Sequence, residues 1–318
     1  MGLNQRERAI ALCLDQGQVA AAVARQLQVP QSTLRGWLRR ARLERELEAL
    51  RAQLAAHRPE NPGPVERPLI RTVHHLACTG GTVISKCLAA MPNVAVLSEL
   101  NPLNRYGSSF EPTNPLLLLE RSHRPLRLEE IKEDFLSRIG QTMRICEKDG
   151  MALVVRDHSH TDFCLGEAPG SCTPICDFLS EGHDLLSVVT VRHPLDSYLG
   201  LLEKGWHTQF SPSTLENYCR RSLAFLDRYR DLPLRRYEAF CEQPQAFMEE
   251  LCGLLKLEYS ADFVERFGAF RLSGDSGRVS TTAIAPRPRR PIPEAVQAEL
   301  AGSPSYVQLL KQLDYSLE

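Results

Sequence analysis

The sequence predicts an α/β chain in which a parallel sheet with helices on both faces follows a small all-α unit. After residue 69, short apolar runs rich in β-branched residues alternate with segments of helical periodicity, the pattern of a parallel sheet covered by helices. Before that point, residues 58–68 contain four prolines, which predict an extended linker. The predicted domains are therefore a helical unit at 1–57, the linker at 58–68 and the α/β domain at 69–318.

Three helical patterns fill the first domain. They cover Arg6–Gln16, Gln18–Gln28 and a stretch that begins near Ser32. The short turn at 27–30 between the last two is typical of a helix-turn-helix. Residues 1–58 also carry ten basic and five acidic side chains, whereas the rest of the chain has a net charge of about −6. A basic helical unit of this kind favours a polyanionic partner.

The run at 20–37 resembles the helix-turn-helix of bacterial transposases. The resemblance implies duplex DNA as a partner, read by the third helix in the major groove. The predicted DNA-binding residues, on that helix and its extension, are Gln31, Ser32, Thr33, Arg35, Arg39 and Arg40. Leucines at 43, 47, 50 and 54 continue the helical pattern, and two interpretations remain open: packing against the three helices, or a homodimer.

The α/β domain opens with a strand, a glycine pair and a helix. Leu69–Ala77 is an apolar run of strand length, and Thr82–Met91 has helical spacing. A tight glycine turn into a helix presents backbone N–H groups at one point, which suits a phosphate. An ordinary connection without a ligand is the alternative.

Four more strands and several helices complete the predicted domain. The strands are expected at Asn93–Glu99, Ala152–Arg156, Leu185–Arg192 and Leu234–Tyr237. Helices are expected at Leu215–Arg230 and Pro244–Leu257, and helical patterns continue through the Pro- and Leu-rich region up to Glu147.

Two motifs in this order resemble the P-loop sulfotransferases. Cys78-Thr79-Gly80-Gly81-Thr82 is similar to the last five positions of the family's phosphosulfate-binding loop, and Arg192, Pro194 and Asp196 match its 3′-phosphate motif. Two further pieces, at 236–240 and 274–278, also look like the family. The resemblance covers roughly residues 69–295. It implies a P-loop sulfotransferase-like fold and sulfuryl transfer from 3′-phosphoadenosine 5′-phosphosulfate (PAPS) to a hydroxyl or amine acceptor, with 3′,5′-adenosine bisphosphate (PAP) as product and no metal.

The resemblance also assigns expected roles to residues. Arg192 would bind the 3′-phosphate and Tyr237 the adenine. The remaining donor-binding candidates are Cys78, Thr79, Gly80, Gly81, Thr82 and Val83 in the loop, and Ser197, Gly200 and Arg278 near the 3′-phosphate.

The sequence departs from the family at two of these positions. Cys78 stands where the family usually has Lys or Arg, and Gly200 stands where it has a serine. Arg156, at the end of the third strand, is the expected replacement for the missing cation. Lys86, one turn further into the helix, is expected to point away from the start of the loop.

Two residues are candidates for the base that deprotonates the acceptor. Glu99 ends the second strand, and His158 follows the third. Histidine has a suitable pKa without tuning, whereas the position of Glu99 matches a catalytic glutamate of some family branches. Both remain open, with Glu99 favoured.

Two classes of function fit these patterns. One is a sulfotransferase with a DNA-binding or dimerising appendage. The other is a non-catalytic sensor of PAPS or PAP within a DNA-binding regulator, which the departures at 78 and 200 favour. The N-terminus lacks a signal sequence and no stretch approaches the ~20 apolar residues of a membrane span, so we expect a cytoplasmic protein with reduced cysteines. The acceptor cannot be read from the sequence.

Overall fold

The computed structural model describes residues 4–56, 67–103, 115–167, 174–274 and 283–316, without the side chains of residues 47 and 50–56. The chain divides into two compact units, Met1–Glu66 and Arg67–Glu318. Most of the predicted linker, and the leucine side chains at 47, 50 and 54, therefore lie outside the described part.

The first unit is helical, as predicted. Helix α1 (Gln5–Ile10) continues into a π-helical turn (Ala11–Asp15), and α2 (Ala20–Gln26) and α3 (Gln31–Ala56) follow. Asn4 caps α1 through a capping box with Glu7. The helices enclose a small core formed by Ala9, Val23, Ala24, Leu34 and Leu38.

The second unit contains five strands. They are β1 (Leu69–His74), β2 (Val94–Leu100), β3 (Ala152–Asp157), β4 (Asp184–Val191) and β5 (Leu234–Arg236). All are parallel, in the spatial order β2-β3-β1-β4-β5. Because β1 is central, the loop that follows it lies between the ends of β3 and β4.

Helices connect the strands. After β1 comes α4 (Gly81–Ala89), and after β2 come α5 (Pro115–Ser122) and α6 (Leu128–Lys148). Helices α7 (Ser159–Phe163) and α8 (Ile175–Ser180) precede β4, and α9 (Pro194–Lys204) and α10 (Leu215–Arg228) precede β5. The last are α11 (Tyr237–Glu242), α12 (Pro244–Leu255), α13 (Phe263–Arg266), α14 (Glu294–Leu300) and α15 (Pro304–Gln312).

The sheet is buried on both faces because successive strand side chains point to opposite sides. Val154 packs with α4 and α12 on one face, whereas its neighbours Leu153 and Val155 pack with α6 and α8 on the other. A third apolar cluster joins α9, α10 and α15 to the end of β4. The predicted fold class, a parallel sheet with helices on both faces after an all-α unit, is confirmed.

Two element boundaries differ from the prediction in ways that shape the site. Strand β1 ends at His74 instead of Ala77, because the chain leaves the sheet to form the turn before α4. Strand β5 ends at Arg236, and Tyr237 is already the first residue of α11. Both changes bring side chains from loop or helix positions to the edge of the sheet.

Candidate functional site

A cavity of about 240 Å³ opens at the carboxyl edge of the sheet, where ligands bind in open α/β folds. The loop after β1, the ends of β2, β3 and β4, and the start of α11 form its wall. The predicted residues that line it are Cys78, Gly80, Gly81, Thr82, Val83, Glu99, Arg156, Arg192 and Tyr237.

The glycines of the loop are required by close contacts. Gly80 has a φ of 88°, and a Cβ there would lie 2.2 Å from two carbons of the Tyr237 ring. A Cβ at Gly81 would lie 1.8 Å from Nε2 of His75. No side chain caps the start of α4, so its first N–H groups form a position suited to an anion.

Arg156 is held rigidly in the wall of this cavity. Its side chain is buried, and its Nε donates to Nε2 of His75 at 2.7 Å. Its other nitrogens donate to the hydroxyl of Ser98 at 3.0 Å and to Oε1 of Glu99 at 3.1 Å. Burial lowers the pKa of His75 well below its usual value, and the positive charge of Arg156 lowers it further. His75 is therefore neutral and serves as an acceptor that fixes the guanidinium.

Glu99 adopts an unusual backbone conformation at the carboxyl edge of the sheet. Its φ is 58°, in the left-handed region that costs a non-glycine residue energy. Gly274 lies directly against its carboxylate, because a Cβ at that glycine would be 1.9 Å from Oε1. Backbone strain held by surrounding contacts is a common feature of functional sites.

His158, the second candidate base, is placed differently. It occupies the N-cap position of α7 without a side-chain capping bond, and its backbone N–H donates to the carbonyl of Leu100 at 3.1 Å. It is not among the described residues that line the cavity. Burial lowers the pKa of its imidazole, while the charge of Glu99 opposes that shift.

Arg192 and Tyr237 lie together beside the loop after β1. The guanidinium carbon of Arg192 is 5.2 Å from the centre of the Tyr237 ring, a cation–π distance. Its Nη1 donates to the carbonyl of Cys78 at 3.4 Å. These contacts tie the end of β4 to the loop after β1.

The two positions that depart from the sulfotransferase pattern are in contact with each other. A Cβ at Gly200 would lie 2.9 Å from Cβ of Cys78. Cys78 also has a φ of 64°. The absence of a side chain on α9 therefore leaves the room that Cys78 occupies.

Four predicted donor ligands either do not line the cavity or lie outside the described residues. Ser197 is fully buried, and the buried hydroxyl of Thr79 donates to the carbonyl of Leu76 at 2.8 Å. Neither residue, nor Gly200, is among the described residues lining the cavity. Arg278 falls within 275–282, outside the described residues.

Three basic residues of the cavity wall were not assigned to the site from the sequence: His75, Lys86 and Arg287. The sequence predicted that Lys86 points away from the start of the loop, and the structure places Lys86 in the wall of the cavity. Lys86 lies four residues after Thr82, so the two share one face of α4, and this spacing was a usable signal. No pattern in the sequence distinguishes Arg287.

The DNA-binding candidates form an exposed surface on α3. Gln31, Ser32, Thr33 and the arginines at 35, 39 and 40 are all exposed, whereas Leu34 and Leu38 on the other face are buried in the small core. Arg40 donates to Glu44 at 3.0 Å, one turn further along the helix. The apolar residues thus fix the helix, and the polar ones remain accessible.

Comparison with solved structures agrees with the fold described above. The sulfotransferase domain of the Synechococcus PCC 7002 olefin synthase superposes with a TM-score of 0.52 at 15% identity, covering 81% of this chain and 99% of that one. The sulfotransferase domain of the curacin biosynthetic pathway gives 0.46 at 15% identity, covering 80% of this chain and 100% of that one. The first of these shows that the large unit has a sulfotransferase-like fold, as the sequence motifs predicted.

The small unit is similar to a known sequence family. Residues 3–62 match the family model HTH_Tnp_1, described as Transposase, which confirms the predicted helix-turn-helix resemblance. No curated protein sequence matches this chain. Among the described residues, no helix is long and apolar enough to cross a membrane.

Proposed function

We propose that the large unit transfers a sulfuryl group from PAPS to a hydroxyl or amine acceptor, and that the small unit binds duplex DNA. One observation carries the first part. The uncapped start of α4, the fixed cation Arg156 and the second cation Arg192 all line one cavity of a sulfotransferase-like fold. This arrangement suits a ligand with several anionic groups.

The residues of the cavity fit the donor. The backbone at Gly80–Val83 offers N–H groups to the phosphosulfate, and the close-packed glycines leave no side chain in the way. Arg192 offers a guanidinium to the 3′-phosphate, and Tyr237 beside it offers a ring face to the adenine. The resemblance to the sulfotransferases implies that Arg278 adds a further cation near the 3′-phosphate.

Arg156 takes the role that Cys78 cannot fill. During transfer, negative charge develops on the phosphate oxygen as its bond to sulfur breaks, and a fixed cation stabilises that charge without reorganising. Four hydrogen bonds hold the Arg156 guanidinium in place. Lys86 on α4 lines the same cavity and adds positive charge.

Glu99 is the proposed base. The acceptor oxygen forms a bond to sulfur, its proton passes to the Glu99 carboxylate, and the sulfur–phosphate bond breaks to release PAP. Glu99 lines the cavity, whereas His158 is not among the lining residues, and this difference favours Glu99 over the histidine.

Replacement of the base tests this proposal. Glu99→Gln keeps the shape of the side chain but removes its basicity, so we expect turnover to fall about 10²–10⁴-fold while PAP affinity, measured by calorimetry, changes little. His158→Asn is the matched control and should cost less. Loss of turnover in His158→Asn with none in Glu99→Gln would assign the base to His158 instead.

A second function, a PAPS or PAP sensor without catalysis, is favoured by the contact between Cys78 and Gly200. Gly200 leaves the room that Cys78 occupies, so the loop holds a cysteine, which supplies no positive charge, where a sulfotransferase of the usual pattern has its loop cation. A wild-type protein that binds PAPS tightly but transfers to no hydroxyl or amine compound would support the sensor. Measurable transfer with labelled PAPS would support the enzyme.

A further inference from the structure

A polar cluster is formed by side chains of the three central strands and of neighbouring segments, and it does not line the cavity. We name it the His74 cluster; its members are Thr72, His74, Asp157, Cys176, Ser187 and Tyr229. None of them lines the cavity, and the proposed transfer does not use them. The cluster places a thiol, an imidazole and a carboxylate in sequence.

The imidazole lies within hydrogen-bonding distance of both the thiol and the carboxylate. Sγ of Cys176 lies 3.2 Å from Nε2 of His74, and Nδ1 of His74 lies 3.0 Å from Oδ2 of Asp157. Oδ2 of Asp157 also accepts hydrogen bonds from Ser159 at 2.8 Å and from the Tyr229 hydroxyl at 3.1 Å. A nucleophile, a base and a group that orients the base are the parts of an activated nucleophile.

The imidazole is fixed in orientation and favours a proton. The Tyr229 ring stacks on it with a centroid distance of 4.4 Å, and Thr72 contacts Nε2 at 2.9 Å. Burial lowers the pKa of His74, but Cys176 and Asp157 raise it, so that the pKa reaches about 10. At neutral pH His74 is therefore an imidazolium, and the hydrogen on Nε2 is directed to the sulfur and the threonine oxygen.

Cys176 differs from most other described cysteines. Burial raises the pKa of Cys164 to about 12 and that of Cys252 to about 11, and it also raises those of Cys87 and Cys219. Thiols in such surroundings are poor nucleophiles. Cys176 is only half-buried, and its Sγ lies beside the charged imidazole of His74, the kind of surroundings in which reactive cysteines are found.

We propose that Cys176 is an activated thiol and a site of covalent modification by hydroperoxides and small soft electrophiles. With a hydroperoxide, the thiolate attacks one oxygen, an S–O bond forms and the O–O bond breaks. The leaving hydroxide or alkoxide takes a proton, which gives a sulfenic acid and water or an alcohol. Sulfur is oxidised by two electrons and the peroxide is reduced by two. The inference is independent of the proposed sulfuryl transfer.

The reactivity of each cysteine in the full-length protein tests the proposal. Alkylation by iodoacetamide is followed at pH 6.5, with each site located by tandem mass spectrometry, in the folded protein and in urea. Cys176 should react at least about tenfold faster when folded than when unfolded, because only the folded chain supplies His74. The buried cysteines should react more slowly when folded. A slower reaction of Cys176 in the folded protein would overturn the proposal.

Variants identify the activating group. His74→Asn should reduce the rate at Cys176 about tenfold and make it rise with pH between 6 and 8, whereas the wild-type rate should be nearly constant. His183→Asn, which removes a half-buried histidine bonded to the carbonyl of Leu179, is the matched control and should change neither. An unchanged rate in folded His74→Asn would overturn the proposal. If that variant does not fold, the comparison of the wild-type protein with and without urea still tests it. The titratable or charged groups around the thiol are His74, Asp157, Asp162, Tyr229, Asp177 and Arg228.

Oxidation itself has a separate readout. The folded protein is treated with hydrogen peroxide and dimedone, which adds to sulfenic acids, and the adduct is located by mass. We expect it at Cys176 in the wild type, with loss of that adduct in Cys176→Ser and a large reduction in His74→Asn. Adducts only at other cysteines would contradict the assignment.

Discussion

At the scale of single residues, the proposed sulfuryl transfer requires a cation in place of the one that Cys78 cannot supply. The loop after β1 holds Cys78 packed against Gly200, so neither position supplies a cation or a hydroxyl. Arg156 lines the same cavity and is fixed by His75 and Glu99. A guanidinium whose hydrogen bonds are already formed needs little reorganisation when an anion develops nearby. In the proposed function the charge therefore comes from β3 instead of from the loop.

Arg192 gives the prediction that belongs to this scale. Arg192→Ala should weaken PAP binding about 10- to 100-fold in calorimetry, because a charge-assisted contact to the 3′-phosphate is lost. Binding of adenosine 5′-phosphate, which lacks that phosphate, should change much less. Arg230→Ala, which removes an exposed arginine paired with Asp227, is the control and should affect neither ligand. Equal losses for both nucleotides would show that Arg192 does not bind the 3′-phosphate.

At the scale of elements, helix α10 holds the segment that follows strand β3. Arg221 on α10 is fully buried and donates to the carbonyls of Phe163, Leu165 and Gly166. These carbonyls belong to the last residue of α7 and to the segment directly after it, and α7 begins two residues past the end of β3. The carbonyl of the exposed Gly166 also accepts from the backbone N–H of Ser211 at 3.0 Å, so the carbonyls of Phe163 and Leu165 depend most on the buried guanidinium.

Arg221→Met should therefore destabilise the fold strongly. Removal of the donor leaves the buried carbonyl of Phe163 unsatisfied and takes a partner from the half-buried carbonyl of Leu165. A buried unsatisfied group costs about 1–3 kcal/mol, so we expect a loss of about 2 kcal/mol or more in the free energy of unfolding. Arg220→Met is the matched control, since this neighbouring arginine is exposed, and should change stability by less than about 0.5 kcal/mol. Urea unfolding measures both, and similar losses would disprove the role given to Arg221.

Helix α3 gives a second prediction at the same scale. The proposal that it binds DNA requires affinity for duplex DNA that falls steeply with salt, measured by fluorescence anisotropy. Arg35→Ala should reduce the preference among sequences, because Arg35 is near the start of the helix, where side chains reach bases. Arg40→Ala should weaken binding to all sequences alike. Absence of binding even at low salt would indicate a protein-interaction module instead.

At the scale of the whole molecule, the chain combines two compact units of different size. Among the described residues, the first has one small core cluster of five buried apolar side chains, whereas the second has three large apolar clusters around its sheet. A larger buried core generally gives a more stable unit. Each unit therefore has its own stability and its own candidate ligand.

Scanning calorimetry of the intact protein should accordingly show two transitions. PAP at about 100 times its dissociation constant should stabilise only the larger unit, by about 2.7 kcal/mol, because a ligand stabilises the unit that binds it. Duplex DNA should raise only the transition temperature of the smaller unit. In Arg192→Ala the stabilisation by PAP at the same concentration should fall to about 0.4–1.4 kcal/mol, as 10- to 100-fold weaker binding requires. A single transition, or one that both ligands shift together, would contradict independent units.

The sequence by itself determined the elements and much of the site. Strand-length apolar runs and helical periodicity depend on residues close together in the chain, so all five strands and the glycine turn were predictable. The presence of Arg156, Glu99, Arg192 and Tyr237 at strand ends was predictable for the same reason. Their arrangement around one cavity remained to be seen in the structure.

Only the tertiary structure decided which side chains meet. The hydrogen bond between His75 and Arg156 joins residues 81 positions apart, and the contact of Gly200 with Cys78 joins different elements. The order of the strands brings His74, Asp157 and Cys176 together from three segments of the chain. Such contacts follow from packing of the whole sheet and its helices, and no local pattern of residues encodes them.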